Sequence, residues 1–594
     1  MAVSNPVIIS LMDNKKALTN FYNSLEDGLK ENDLIKKYPT VYIHNWEKGE
    51  GFEVYVGESN NFFQRTEQHY EQLNNPSSWQ KYIKNNNAKL FVIGHPEFNK
   101  SLTLDVENRL IHYLSSSKSV LKVHNGRSNP QNQYYPCEDF DEIFSKIWRK
   151  LRVYNKDLFL SETEIKDSAI FKASPLHKLN YKQSLAKEII LDKVTYSMID
   201  SDKKHKLIWV QGDAGTGKTV LMSSIFYELI NKSKKELEEN AINETSVETA
   251  IIVNHTEQLT VYEEIVKKLD LVEDNEKVVF NPTQFINLFI DKKNSPKKRT
   301  KLYDVIFVDE AHLLLTQKNQ AFTAEGSQLA ELMKYAKIVV VMFDKNQVMN
   351  AEQYLSNETI DEYIKIAKSQ DNFIELDEQM RMNANPKVMN WLKKIYLDGI
   401  IEPLTKKRGG YDIKSFDSPK DLENAIKQKA SVEKTKLSRM IATYDWPYSG
   451  QSDPIGSKYW TVKIGDWSKP WNREIMRHAT KEEKRIIKGL AWAEQPQTID
   501  EIGSTYTIQG FDLNYAGVII GPSVKFRNGH IIFDPNYSCN DKATHKRTLE
   551  DGSKKSFGKE FLKNELGVLV TRGVNGLYIY ACDDELRKQL NKCL

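Results

Sequence analysis

The sequence predicts an α/β protein: a small mixed α/β domain, then two domains built on parallel sheets, the second carrying an insertion. Three observations lead there. From residue 179, short apolar runs (KLIWVQG, TAIIVNH, YDVIFVDE, AKIVVVMFD) alternate with helical patterns, the rhythm of parallel strands joined by helices. NFIEL, YAGVIIG and GLYIYAC carry that rhythm on, either side of a break at 405–495 that holds five of the ten tryptophans, Trp446, Trp460, Trp467, Trp471 and Trp492. Ahead of both, residues 41–57 and 89–93 read as strands and 61–74 and 103–115 as helices, punctuated by the turn signal EKGEG.

A chain of 594 residues exceeds what one hydrophobic core supports and implies roughly three or four domains. Pattern and composition place an N-terminal extension at 1–35 and the small domain at 36–160, closed by a helix over EDFDEIFSKIWRKLRVY. A polar linker follows at 161–178, then the first sheet domain at 179–370, the second at 371–404 and 496–594, and the tryptophan-rich insertion at 405–495. KSKKELEEN and KKNSPKKRTK read as charge-rich connectors.

Several classes are excluded at this stage. No apolar run approaches the roughly 18 residues that span a bilayer, and the opening MAVSNPVIISLMDNKK lacks a basic lead and a small-residue cleavage pattern, so the expectation is a cytoplasmic protein without membrane contact. Cys137, Cys539, Cys582 and Cys593 have neither CxxC nor Cys/His spacing, which argues against a disulfide framework and a zinc site. With 84 basic against 81 acidic residues, any nucleic-acid surface must be local.

GDAGTGKT fits the phosphate-binding pattern GxxxxGK[ST] in full, between an apolar strand and a helix beginning TVLMSSIF. Gly212, Gly215 and Gly217 let backbone N–H groups curl around phosphate oxygens. Lys218 would bridge the β- and γ-phosphates of ATP and Thr219 would hold Mg²⁺. YDVIFVDEAH ends a buried strand in Asp309 and Glu310, which puts both carboxylates at the carboxyl edge of the sheet beside the phosphates. Asp309 would then complete the magnesium shell and Glu310 orient the attacking water.

From here the chain resembles a superfamily 1 helicase, and more narrowly the Schlafen-like helicase family, over about 179–590. The motifs run in the family's order: LNYKQSLA with Gln183 as the adenine-reading glutamine, FDKNQ with Asp344 and Gln347, and LDEQMRM with Arg381. STYTIQGFDLNYAGVIIGP with Gln509 and Gly510, and LGVLVTRGVNGLYIY with Arg572, complete the set. The resemblance implies two RecA-like P-loop domains. Arg381 and Arg572, both from the second, would reach the γ-phosphate as arginine fingers when the domains close, or else serve as structural ion pairs. Tyr506 stands where that family more often has histidine, and TRG stands for TRA.

The N-terminal region carries a second constellation. TVY at 40–42 and YVG at 55–57 form a hairpin, and G-x-S-x-N-x-x-x-R-x-x-x-H runs from Gly57 through Ser59, Asn61, Arg65 and His69. Arg65 and His69 are four apart, so a helix presents both on one face toward Tyr42 and Tyr55. LTLDVENRLIHYL reads as an amphipathic helix with Glu107 among Leu104, Leu110 and Ile111. Residues 38–130 resemble a GIY-YIG nuclease domain, with TVY for GIY and YVG for YIG. The resemblance makes Glu107 the ligand of a divalent metal, Mg²⁺ or Mn²⁺, and supplies Asn125, in VHNG, as the late asparagine. Phosphodiester hydrolysis needs a base, a Lewis acid and a cation for the charge growing on phosphorus. A tyrosine, Tyr55 in preference to Tyr42, the metal on Glu107, and Arg65 would fill those roles. The first two residues of GIY are absent, and a degenerate domain that binds nucleic acid without cutting it is the alternative.

Candidates for strand contact are NHT at 254–256, the loop SPKKRTK, and Tyr444, Trp446, Trp460 and Trp467 interleaved with Lys458, Lys463 and Lys469, although most such tryptophans belong to cores. Together the resemblances imply a GIY-YIG α/β domain followed by two RecA-like parallel-sheet P-loop domains with an insertion in the second. The expected activity is an ATP-dependent nucleic-acid helicase or translocase fused to a metal-dependent endonuclease. Its expected partner is DNA in preference to RNA, and its role bacterial anti-phage defence or restriction. DNA repair, and an ATP-switched binding protein with an inactive nuclease, are the competing readings; self-assembly or a defence-system partner protein is compatible with either.

Overall fold

The computed structural model describes residues 3–26, 28–74, 79–84, 87–125, 133–199, 206–238, 247–273, 276–290, 299–317, 326–404, 409–488, 490–549 and 552–594. The chain divides into two compact units: Met1–Asn180 with Ile230–Lys232 and Val261–Lys277, and Tyr181–Leu229 with Ser233–Thr260 and Val278–Leu594.

The first unit is built on a five-stranded sheet of β1 (Val7–Met12), β2 (Thr40–Lys48), β3 (Gly51–Ser59), β4 (Lys89–Gly94) and β5 (Val120–Val123), in the order β1-β4-β2-β3-β5. Only the β3/β5 pair is parallel. β2 and β3 form a tight hairpin, pairing Lys48 with Gly51 across a turn in which Gly49 takes φ +58°. Of the nine residues of β2 only the last two are exposed, as expected for a central strand covered on both faces. Around the sheet lie α1 (Lys15–Ser24), α2 (Lys30–Lys36), α3 (Phe62–Glu71), α4 (Lys100–Ser116) and α5 (Phe140–Tyr154).

Two expectations for this unit are corrected. The segment 1–35 is no extension: β1 pairs antiparallel with β4 from Val7↔Gly94 to Met12↔Lys89. Nor is 161–178 a linker. It folds into α6 (Glu162–Asp167), started by a capping box between Ser161 and Glu164, and α7 (Ala169–Ala173), capped by Ser168. Its few buried apolar residues are the ones that decide: Ile165 has no exposed surface and Ala169 and Ala173 are buried, as are Leu158 and Phe159 just ahead of it. A polar average hid a sparse but fully buried set.

The second unit holds two parallel sheets. The first contains β6 (Lys206–Gly212), β7 (Thr249–Val253), β8 (Val279–Phe280), β9 (Tyr303–Asp309), β10 (Ala336–Phe343) and β11 (Phe373–Leu376), in the order β11-β6-β10-β9-β7-β8. Before β6 runs α8 (Tyr181–Ile199), and after it α9 (Lys218–Glu238). Fully buried Trp209, stacked on Tyr363 at 5.9 Å, anchors its core. NFIEL was expected in the second sheet domain, but β11 pairs with β6 and closes the first. Buried parallel strands have similar apolar sequences whichever sheet they join, so pattern cannot assign them.

The second sheet contains β12 (Asp412–Ser415), β13 (Arg439–Ala442), β16 (Ile502–Gly503), β17 (Leu513–Ile520) and β22 (Gly573–Ala581), in the order β12-β22-β17-β13-β16. Hairpins β14 (Thr461–Ile464)/β15 (Trp467–Pro470), β18 (Val524–Arg527)/β19 (His530–Phe533) and β20 (Arg547–Thr548)/β21 (Lys554–Lys555) decorate it. The insertion expected at 405–495 is therefore narrower, because β12 and β13, each only four residues long, lie inside it and belong to the sheet. Residues 405–408 of that segment lie outside the described residues. No helix among the described residues is long and apolar enough to cross a membrane.

Phe159 meets Trp148 edge-on at 5.4 Å and Phe91 at 5.5 Å. Phe159→Ala is expected to cost the first unit about 3–5 kcal/mol in denaturant titrations of the full chain. A loss under about 1 kcal/mol would show that the stretch leading into α6 is not part of the core.

Candidate functional site

The loop after β6 is arranged by its glycines. Gly215 and Gly217 take φ +84° and +78°, conformations open to glycine at little cost, and a Cβ on Gly215 would lie 2.7 Å from the Cβ of Arg381. Lys218 Nζ donates to the carbonyls of Gly212 (2.7 Å) and Asp213 (3.1 Å) and lies 3.9 Å from Asp344 Oδ2. Thr219 Oγ1 donates to Asp309 Oδ2 at 3.2 Å, and Gln258 Nε2 donates to the same oxygen at 2.9 Å. Gln183 Nε2 donates to the Thr216 carbonyl at 3.2 Å.

Glu310, the residue after β9, adopts φ 46°, ψ 48°, a left-handed conformation rare outside glycine that turns the chain sharply at the sheet edge. Burial alone would raise its pKa. His312, Lys218, Arg572 and Arg381 outweigh burial and hold the carboxyl below its ordinary value. Burial lowers the His312 pKa, with Glu310 and Asp344 acting against it, and its Nε2 lies 3.4 Å from Glu310 Oε2 and 3.5 Å from Gln509 Nε2. Gly510, next in the chain, takes φ +84°.

Two arginines converge from the second sheet's side. Arg381 Nε pairs with Asp512 Oδ1 at 2.5 Å. Arg572 has no exposed surface and donates to the carbonyls of Val568 (3.0 Å) and Phe511 (3.2 Å) and to Gln347 Oε1 (3.3 Å). Gln347 in turn donates to Asp344 Oδ2 at 2.7 Å. Burial pulls the Arg572 pKa down to about 9, with Arg381 acting in the same direction, which leaves it charged at neutral pH. A cavity of about 370 Å³ lies alongside, lined by Asp213, Asp344, Gln347, Gln379 and Tyr396 among others. All the predicted residues of this site are thus gathered in one place. Sequence reasoning missed Gln258 and Asp512, whose partners lie far away in the chain.

The first unit has a cleft of about 520 Å³ lined by Tyr42, Tyr55, Arg65, Glu107 and Asn125 together with Glu58 and Lys100. Gly57 is required there, since a Cβ would lie 2.6 Å from the Tyr42 hydroxyl. Tyr42 is buried, its hydroxyl 3.2 Å from His69 Nε2, and His69 Nδ1 is 3.2 Å from Gln80 Nε2. Burial, reinforced by Tyr55, pushes the Tyr42 pKa far above its ordinary value despite Arg65. Asn125 Nδ2 donates to Glu107 Oε1 at 3.1 Å and to the Val56 carbonyl at 2.7 Å. Arg65 is exposed, whereas His69, on the same helix face, turns into the core. Ser59 and Asn61 act locally: Ser59 Oγ accepts from Asn61 N, and Asn61 Oδ1 caps α3.

Trp79, stacked on Tyr55 at 4.1 Å and 15°, was not anticipated, nor was fully buried His44, whose Nδ1 is 2.6 Å from Asp13 Oδ2. Nothing local in the sequence flags either. Most proposed strand contacts are structural. Trp446, Trp471 and Trp492 are buried, Trp460, Trp467 and Tyr444 pack on the same core as the first two, and Lys469 pairs with Glu423. Asn254 donates to the Leu313 carbonyl, and His255 is held neutral, its pKa down to about 4 through burial and Arg473. Of SPKKRTK, residues 295–298 lie outside the described residues, while Arg299 and Lys301 both pair with Glu248.

A phosphate-binding loop at the carboxyl end of a parallel sheet, followed by a second parallel sheet that sends arginines to it, defines a P-loop nucleotide-binding protein of helicase type. Residues 205–583 match the family model described as Schlafen group 3, DNA/RNA helicase domain, and the chain belongs to that family. An uncharacterized protein of Saccharomyces cerevisiae is 33% identical over 440 residues, which cover 69% of this chain and 90% of that protein. Among solved structures, domain III of the Thermotoga maritima replication initiation protein DnaA (14% identity, 34% of this chain, 67% of that one) reaches a TM-score of 0.18. Drosophila ORC bound to DNA (14% identity, 36% of this chain, 47% of that one) reaches 0.19. Neither score carries weight for function.

His69 is held down to about 3 by burial, with His44 and Arg65 adding to it. Its folded value lies below the unfolded one of about 6.5, so the stability it contributes is complete above about pH 6.5 and is lost as pH falls toward 3. His69→Gln is expected to flatten the acid limb of stability in that window, followed by urea midpoints. An unchanged slope would place the acid sensitivity elsewhere.

Proposed function

We propose that this chain is an ATP-driven nucleic-acid motor joined to a metal-dependent endonuclease. The observation that carries the motor is the convergence of Lys218, Arg381 and Arg572 on Glu310. Three cations around one retained carboxylate suit a polyphosphate and an attacking water better than they suit structure alone. In this reading Glu310 orients water, and Gln183 and the loop amides hold the nucleotide. Arg381 and Arg572 meet the transferred phosphoryl group, and Gln347 relays its presence to the second sheet. Thr219 and Asp309 share one hydrogen bond and offer the few oxygen ligands that Mg²⁺ takes beside phosphates and water.

In the first unit, the carboxylate of Glu107, oriented by Asn125, is a fit for one divalent cation completed by water and phosphate. Among the described residues no cluster of three or more Asp, Glu, His or Cys forms a denser site. The metal would supply Lewis acidity and neutralise the scissile phosphate. Arg65 would meet the charge growing on phosphorus. Tyr55, lining the cleft and fixed by Trp79, is the base we favour, because the Tyr42 hydroxyl is engaged by His69 and its proton is held by burial. DNA is the favoured substrate, and a role against foreign DNA rests on resemblance alone.

Lys218→Ala and Glu310→Gln are expected to abolish ATP turnover, the latter by about 10³-fold or more with nucleotide binding kept. Glu107→Ala is expected to abolish Mg²⁺- or Mn²⁺-dependent cleavage of DNA or RNA while sparing ATP turnover. Wild-type protein that hydrolyses ATP but never cuts would leave the first unit as a nucleic-acid-docking domain.

A further inference from the structure

Two charged residues lining the cleft of the first unit have no part in the chemistry above. Glu58 follows Gly57 on β3. Its side chain is only 11% exposed, accepts a hydrogen bond from Thr103 Oγ1 at 3.3 Å, and forms an ion pair with Lys100 Nζ. Lys100 opens α4 and keeps 53% of its side chain exposed. Lys100, Thr103 and Glu107 are spaced i, i+3 and i+7 on one face of α4, and Lys100 and Glu107 line the cleft. Seven residues of helix place Lys100 about 10 Å along the axis from Glu107.

The pairing is asymmetric. Glu58 is nearly buried and is satisfied by Thr103 as well, whereas Lys100 reaches it from solvent on a flexible stem, and half-exposed pairs of this kind contribute little to stability. An ammonium so placed exchanges readily onto a phosphate that enters the cleft.

We propose that Lys100 binds a backbone phosphate of the nucleic acid a few nucleotides from the bond positioned at Glu107, and that Glu58 is the counter-ion it leaves to do so. The inference rests on the nuclease reading of the cleft and deepens it. Glu58 thereby sets a threshold: a strand must outcompete the carboxylate before it is seated, which makes cleavage more salt-sensitive than Arg65 alone would.

The test is steady-state cleavage of DNA by the full chain with Mg²⁺ or Mn²⁺ and without ATP, at several salt concentrations. Lys100→Ala is expected to raise KM several-fold with kcat nearly unchanged, and to reduce the slope of log KM against log salt by about one. Lys100→Arg is expected to restore both. Glu58→Gln, which frees Lys100, is expected to lower KM. Opposite signs for the two partners are the signature of competition. Equal shifts for both, or an unchanged KM in Lys100→Ala with wild type cutting, overturn the proposal and leave the nuclease reading standing. No cutting by wild type under any of these conditions overturns both.

Discussion

A guanidinium with no access to water ties the second unit together. Removing a charge from solvent is expensive unless every donor is met and opposite charge is near. Arg572 meets the carbonyls of Val568 and Phe511 on its own side and the side-chain oxygen of Gln347 on the other. Glu310, Asp344 and Asp512 supply the compensating charge. The two sheets are therefore held in one relative placement by a group whose satisfaction requires both. Arg381, anchored on Asp512, and the loop around Lys218 take their positions within that frame.

The first unit combines neutral and paired groups in its core. Tyr42 is buried against Gly57 and its hydroxyl meets a histidine held neutral by burial, while the buried carboxylate of Glu53 on β3 is paired with His124 and Lys48. Glu107, Arg65, Glu58 and Lys100 line the cleft beside it.

Much of this was legible because chemistry dictates local order. A loop that wraps phosphate needs its glycines, lysine and threonine within eight residues, and a helix that shows Arg65 and His69 together needs them four apart. What lay hidden was pairing at a distance. Gln258 and Asp309 share a bond across 51 residues, and Asp13 and His44 across 31, and nothing local announces either. Segment 161–178 was misread because its average is polar while a few buried residues, Ile165, Ala169 and Ala173, decide its fate. β11 was assigned to the wrong sheet because buried parallel strands look alike, and the insertion was drawn too wide because four-residue strands leave no periodicity to count.

The central claim is that Arg572 couples the second sheet to the nucleotide held by the first. Arg572→Lys keeps a cation but loses the planar fork that meets three oxygens. Single-turnover ATP hydrolysis by this variant, measured beside its nucleotide affinity and its thermal midpoint, tests the claim most directly. The account predicts hydrolysis slower by about 10³-fold or more, with nucleotide affinity little changed and the thermal midpoint lowered by the buried oxygens left unmet. Hydrolysis at the wild-type rate would show that the buried guanidinium is structural only.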